Sequence, residues 1–229
     1  MAAPVVIIGG TSGIGLELAR QYVELGQEVV ISGRDGGRAG HIAAELGAAA
    51  RGVGVDLSVT KEIAGALSSI DEVRHLVIAA IERDKNHIIT YDRERAERLV
   101  TLKLVGYPEV VHVLRTRLVA DASVVLFGGL AKERPYPGST TVSTVNGGIS
   151  GLVRTLAYEL APVRVNAVHP GIVGDSPEWQ GKQLDAVVER TPIGRLVKMS
   201  EVAQATRFLL DCPAMNGVDL FVDGGWMLR

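Results

Sequence analysis

Val5-Val6-Ile7-Ile8-Gly9-Gly10-Thr11-Ser12-Gly13-Ile14-Gly15 is the stretch that decides the fold. Its first four residues are apolar and β-branched, without alternation. They read as a short strand buried on both faces, as in a parallel sheet. The run ends on glycines. From Ile14 to Leu25 the residues Leu16, Ala19, Val23 and Leu25 form a helical apolar face, and Gly26 stops the helix. A glycine turn therefore links a strand to a helix. Gly9 permits a tight turn at the strand end. Gly13 lets backbone approach a pyrophosphate with no Cβ in the way, and Gly15 allows close packing of helix on strand. The free N–H groups and dipole of the helix would then face the phosphates. Gly9, Thr11, Ser12, Gly13, Ile14 and Gly15 are thus candidate dinucleotide ligands, set against the simpler reading of an ordinary glycine turn.

Further along, strand and helix patterns alternate. Strands are expected at Glu28 to Ser32, Val53 to Val55, His75 to Ala80, Ser123 to Phe127, Arg164 to Val168 and Leu220 to Val222. Helices are expected at Ile42 to Leu46, closed by Gly47, and from a cap at Ser58 or Thr60 to about Ser69. Asp92 to Leu118 reads as helical, with a kink or break at Pro108. Ser139 to Leu160 reads as a long helix, and Ser200 as the cap of a helix through Leu210, with Glu201 in its first turn. This alternation predicts an α/β chain, a three-layer doubly wound parallel sheet with right-handed crossovers. One domain is expected over residues 1–229, with a short irregular lid around 172–190 at the carboxyl ends of the strands.

The bulk numbers agree. The chain has 229 residues, 47% of them hydrophobic but only 4% aromatic, so the core must be aliphatic. A formal net charge of -2 offers no basic excess to attract nucleic acid or an anionic membrane. The single cysteine, Cys212, excludes an internal disulfide and fits a reducing cytosol, where it serves packing. Without a basic leader or an apolar stretch of bilayer length, a cytoplasmic protein is expected. His41, His75, His87 and His112 are scattered without metal-ligand spacing, and no metal site is expected.

The end of the second strand bears on cofactor choice. An NAD site usually carries an acidic residue there for the ribose hydroxyls. Here the run is Ile31-Ser32-Gly33-Arg34. No carboxylate ends the strand, and Arg34 can bind a 2′-phosphate bidentately, with Arg38 assisting. NADP(H) is favoured over NAD(H), with Asp35 the residue that counts against it.

At this point the chain resembles the short-chain dehydrogenase/reductase family over nearly its full length. The turn is similar to the family's TGxxxGxG motif, with Ile8 for the threonine. Asp56-Leu57 resembles its adenine-contacting pair. Arg164-Val165-Asn166-Ala167-Val168-His169-Pro170-Gly171 is close to RVNAVxPG, which closes over the nicotinamide, and Pro192-Ile193-Gly194-Arg195 and Val222-Asp223-Gly224-Gly225 match the late PxGR and VDGG motifs. The resemblance implies a seven-stranded parallel Rossmann sheet and a homodimer or homotetramer. It adds Asp56, Leu57, Ala79, Asn146, Pro170, Gly171 and Val173 to the cofactor contacts.

The family's Asn–Ser–Tyr–Lys tetrad does not carry over. The flanks Pro137-Gly138-Ser139 and Gly147-Gly148-Ile149 put the Tyr position at Val142 and the Lys position at Asn146. The Ser position falls on Gly129 and the Asn position on Lys103. NNAG reads Ile78-Ala79-Ala80-Ile81, and the threonine after the PG turn reads Asp175. Valine and glycine transfer no proton, and a missing general acid forgoes about 10²–10⁴-fold in rate. Lys103, Tyr136 and Ser143 are the candidate substitutes, each with a plain alternative: a surface lysine, a loop aromatic, a helix-start hydroxyl. His169 reads as structural, while Asp175 and Glu178 would contact a substrate or simply solvate the lid. Three functions follow: an NADP(H)-dependent oxidoreductase acting on a small-molecule carbonyl or alcohol with a non-standard proton donor; a redox-inactive relative that binds NADP(H) as sensor, scaffold or partner subunit; and a non-redox isomerase, dehydratase or cyclase using the same cleft.

Overall fold

A computed structural model describes residues 3–228. Seven strands form one parallel sheet in the order β3-β2-β1-β4-β5-β6-β7. They are β1 (Val5–Ile8), β2 (Val29–Gly33), β3 (Ala50–Gly54), β4 (Val73–Ile78), β5 (Leu118–Phe127), β6 (Arg164–Pro170) and β7 (Asp219–Val222). The helices are α1 (Gly13–Glu24), α2 (Gly36–Leu46), α3 (Thr60–Ala66), α4 (Arg93–Val100), α5 (Tyr107–Leu114), α6 (Thr140–Glu159), α7 (Asp185–Arg190) and α8 (Met199–Asp211).

Alternate residues of the same strand enter different cores, which is why β1 shows no polar alternation. Val6 and Ile8 pack with Leu76, Ile78, Val124 and Leu126 under α3, α5 and α6. Val5 and Ile7 pack with Val77 and Val125 under α1 and α8. All four β1 residues are buried. The strand order reverses between β1 and β4, and in open α/β sheets that switch point opens the ligand crevice at the carboxyl ends.

Three local expectations change. The third strand is Ala50–Gly54 rather than Val53 to Val55, and it is the sheet edge, where Arg51 tolerates solvent. Its Gly52 lies so close to α2 that a Cβ would strike the Ala39 backbone. Asp92 to Leu118 is not one helix. α4 runs into a π-helical turn, Thr101–Gly106, then α5, a 3₁₀ turn, and β5 from Leu118. Pro108 does not break the run: it lies at the start of α5, directly after the wider π turn, a position that tolerates a missing N–H. Ser200 is not a cap: α8 starts at Met199. Asp175 Oδ1 accepts from the Met199 N–H at 2.8 Å, and Glu201 accepts from the Lys198 N–H at 2.9 Å. Asp175 is therefore spent on a helix start across the chain.

The stretch 172–190 is tied at its base by pairing of Val173 with Val197 and carries a 3₁₀ turn and α7. Among the described residues no helix is long and apolar enough to cross a membrane.

Candidate functional site

The glycine turn sits at the switch point. Gly9 has φ +89° and Gly13 φ +55°, both in the left-handed region that favours glycine. A Cβ on Gly9 would stand 2.6 Å from the Ala80 nitrogen, so the turn lies directly on the end of β4. A Cβ on Gly15 would collide with the Gly9 carbonyl, whereas nothing lies within 4 Å of the corresponding position on Gly13. The turn is thus tight beneath and open above. Gly9 and Gly10 donate to the Ser32 carbonyl at 3.2 and 2.9 Å, and the Thr11 side chain packs on Gly33, locking the turn to β2. The Ser12 side chain makes no capping bond to α1, and no acidic residue occupies the first turn of that helix. Its first N–H groups and positive dipole end lie beside the open space over Gly13, which suits an anionic diphosphate. Ile14 is half-buried behind it.

At the end of β2, Arg34 is exposed. Asp35 caps α2, its Oδ1 accepting from the Arg38 N–H at 2.9 Å, a favourable place for a negative charge.

After β3, Asp56 accepts from the Ser58 N–H at 2.9 Å and hydroxyl at 2.7 Å, and from Arg98 at 3.1 Å. Partial burial pushes its carboxyl up, but these bonds outweigh burial and hold it below the usual range. Arg98 also pairs with Glu82 at 2.6 Å, so the guanidinium that holds Asp56 from α4 is itself anchored by the loop after β4. Leu57 is buried, and its carbonyl touches the π turn at Gly106, where a Cβ would not fit. Ala79 hydrogen-bonds Ile8 at 2.8 Å and floors the turn.

Lys103 lies on the π turn and is only 2% exposed, which overturns the surface-lysine alternative. Its Nζ donates to the Phe127 carbonyl at 2.6 Å and to Tyr107 Oη at 2.9 Å. Tyr107 in turn donates to the Ala80 carbonyl at 2.7 Å. The amine therefore sits between the carboxyl ends of β4 and β5, below the glycine turn. Burial pulls its pKa from 10.5 down to about 7. Tyr107 is buried too, which pushes its phenol far up. Sequence reasoning missed Tyr107, although four-residue spacing on a helix is a signal for such a pair.

Gly129 borders the buried Asn146: a Cβ there would lie 2.8 Å from its Nδ2. The Gly129 N–H donates to His169 Nδ1 at 3.1 Å, and Nε2 of the same ring meets Asp219 at 2.8 Å. Those partners fix the Nε2–H tautomer. Burial is the largest influence on His169 and lowers its pKa despite Asp219, so the ring is a neutral strut. Val142 and Ser143 are half-buried on the first turn of α6, the Ser143 hydroxyl donating to Ser139 Oγ at 2.9 Å. Tyr136 is 52% exposed on the preceding loop, whereas Lys103 and Asn146 are buried. Pro170 and Gly171 close β6; the Gly171 N–H bonds the Val222 carbonyl at 2.9 Å, and Val173 is buried beyond it. Glu178 on the lid pairs with Lys182 beside it and with Arg83 of the loop after β4.

Residues 9–227 match the family model described as enoyl-(acyl carrier protein) reductase. A zebrafish (Danio rerio) relative, carbonyl reductase family member 4, is 30% identical, covering 100% of this chain and 99% of the relative. The chain belongs to the short-chain dehydrogenase/reductase family. Among solved structures, the MalC reductase/Diels–Alderase of Malbranchea aurantiaca superposes with a TM-score of 0.91 at 26% identity, covering 100% of this chain and 96% of that one. A Brucella melitensis 3-ketoacyl-(acyl-carrier-protein) reductase complexed with NADH superposes with a TM-score of 0.87 at 27% identity, covering 99% and 98%. The seven-stranded parallel sheet with flanking helices is common to these short-chain dehydrogenases.

Proposed function

We propose that the chain is an NADP(H)-dependent oxidoreductase that acts on a carbonyl or alcohol group of a small molecule and draws its proton from a non-standard donor. The observation that carries the reading is the pairing of an open glycine turn with an exposed Arg34 and an Asp35 turned into a helix cap. Gly13 and the first turn of α1 would hold the diphosphate, Arg34 the 2′-phosphate, Asp56 the adenine amino group, and Asn146 a ribose hydroxyl. The nicotinamide supplies the hydride.

The positions the family uses for its tetrad hold Lys103, Gly129, Val142 and Asn146 in this reading. Of the three substitutes, Lys103 has the best support. Its pKa of about 7 suits general acid work near neutrality, and its ammonium carries one N–H beyond the two bonded to Phe127 and Tyr107. Tyr136 is solvent-exposed and the Ser143 hydroxyl donates to Ser139, so neither is tuned for that chemistry. A single domain closed by the 172–190 segment, and a homodimer or homotetramer, complete the proposal; the exposed Tyr158 and Phe208 on the outer helices support assembly.

A second reading also has an observation behind it. Lys103 bonds inward, Ser143 bonds Ser139, and Tyr136 faces outward. That favours a redox-inactive nucleotide-binding protein. Titration with NADPH and then NADH, followed by nicotinamide fluorescence, tests the cofactor. The expected result is tighter NADPH binding that Arg34→Ala weakens selectively; binding of neither nucleotide would overturn it. Turnover of any carbonyl compound by the NADPH-bound chain would exclude the redox-inactive reading.

A further inference from the structure

The loop after β4 and the loop before α6 expose apolar side chains that they cannot hide. Ile88 is 74% exposed, Ile89 92% and Tyr136 52%. The two loops are bound to each other through backbone. Asn86 donates to the Gly138 carbonyl at 2.8 Å, and Thr140 donates to the Asn86 carbonyl at 3.3 Å. The Asn86 side chain is also fixed, giving and taking bonds with the Asp92 backbone at 2.7 and 2.8 Å. Gly138, at φ +90°, packs on the His87 ring so closely that a Cβ would lie 2.9 Å from Nε2. These ties hold the isoleucines up from a rigid base, where leaving them in water forgoes the usual gain from apolar burial.

Between the loops lies a cleft of about 300 Å³, lined by His87, Ile88, Ile89, Tyr136, Ser139 and Ser143 and walled by Pro135 and Pro137. No lysine, arginine, aspartate or glutamate lines it. Its polar floor is the hydroxyl relay from Ser143 to Ser139 to the Tyr136 carbonyl, at 2.9 and 2.7 Å. Its wall is the start of α6, at Thr140 and Ser143, the helix that also carries Val142 and, one turn on, the buried Asn146 next to Gly129.

We propose that this cleft receives the apolar body of an uncharged small-molecule substrate, and that the enzyme selects neutral ketones or alcohols over carboxylated or phosphorylated ones. The inference rests on the oxidoreductase reading for the word substrate, but the binding site stands on its own. An anionic group would find no lysine or arginine in the lining to offset the hydration it loses.

The test is direct binding, by saturation-transfer NMR and calorimetry, of 2-octanone and of octanoate to the full chain. Ile88→Ser and Ile89→Ser alter exposed side chains and leave the fold intact. The expected result is binding of the ketone, none of the carboxylate, and about tenfold weaker ketone binding in either variant. NADPH affinity should be the same in all three proteins. Equal binding of octanoate, or ketone binding indifferent to both variants, overturns the proposal. So does self-association that the variants abolish without any ketone binding, which would make the patch a subunit contact. Ketone binding in a protein that fails to bind NADPH supports the cleft and overturns the cofactor reading instead.

Discussion

Replacing Lys103 with methionine is expected to remove a rise in stability with pH that the native chain shows. Burial holds the folded-state pKa of this amine at about 7, against 10.5 for a free lysine. The charged form is the one that burial penalises. Below about pH 7 the amine is protonated whether the chain is folded or not, and the folded state bears the whole penalty. As pH climbs from there toward the free-lysine value, the folded amine loses its proton while the unfolded one keeps it. The unfolded state then binds more protons, so stability increases with pH. Between about pH 6 and about pH 9 the relief is about 2–3 kcal/mol, at ~1.4 kcal/mol per pKa unit. In urea unfolding that is a midpoint shift of about 1 M. Methionine has a similar unbranched shape and no charge, so its profile lacks this component. It also leaves the Phe127 carbonyl without its amine donor, so the variant is offset at alkaline pH; the slope, not the offset, is the measure. His75, whose pKa burial pulls from 6.5 to about 4, adds a rise of its own that levels off just above pH 6.5; it is the same in both proteins and cancels in the difference. Parallel profiles for the two proteins would refute the reasoning and return Lys103 to a charged role.

A Cβ at Gly15 would collide with the Gly9 carbonyl, so Gly15→Ala should abolish nicotinamide-nucleotide binding, whereas Gly40→Ala, on an open face of α2, should leave binding unchanged and raise stability by about 0.5–1 kcal/mol. Arg98→Met should bring the depressed Asp56 carboxyl back up, read by NMR titration of that carboxyl; the stability it contributes is present above the unfolded carboxylate value and fades as pH falls through the folded one. His169→Phe strands the Gly129 N–H and half of the Asp219 carboxylate, and a loss of about 1–3 kcal/mol is expected in thermal or urea unfolding.

The parts legible in the sequence are those written in local code. The glycine turn, the unbroken apolar β1 and the Asp56-Leu57 pair just after β3 each carry their reason within a few residues, and the sheet follows from the alternation of strand and helix. What was not legible depends on residues distant in the chain. Nothing near Lys103 announces that the Phe127 carbonyl will receive its amine, and the preceding run Arg93-Glu94-Arg95 suggests a solvated helix. Asp175 looked like a lid residue because its partner is the start of α8, 24 residues on. Pro108 looked like a break because sequence periodicity does not reveal a π turn that absorbs it. Asp35 illustrates the remaining ambiguity: a carboxylate beside β2 reads as a ribose ligand or as a helix cap, and its bond from the Arg38 N–H appears only in the folded chain.

The same amine that ties β5 to the π turn is the proposed proton donor, so loss of activity in a Lys103 variant does not by itself distinguish chemistry from architecture. The two roles do, however, predict opposite responses to pH. As a tie, Lys103 weakens the fold when protonated, so stability improves as pH rises through about 7. As an acid, it serves carbonyl reduction only when protonated, so the reduction rate at saturating NADPH should fall through the same region, about tenfold per pH unit above it. The rate of the reverse alcohol oxidation should rise there, because the neutral amine is then the required base. A rate and a stability that cross in this way, both flattened in Lys103→Met, would assign the proton to this residue. A reduction rate that holds level or climbs through about pH 7 while native stability still rises would leave Lys103 as a tie alone and move the search for the donor to Tyr136.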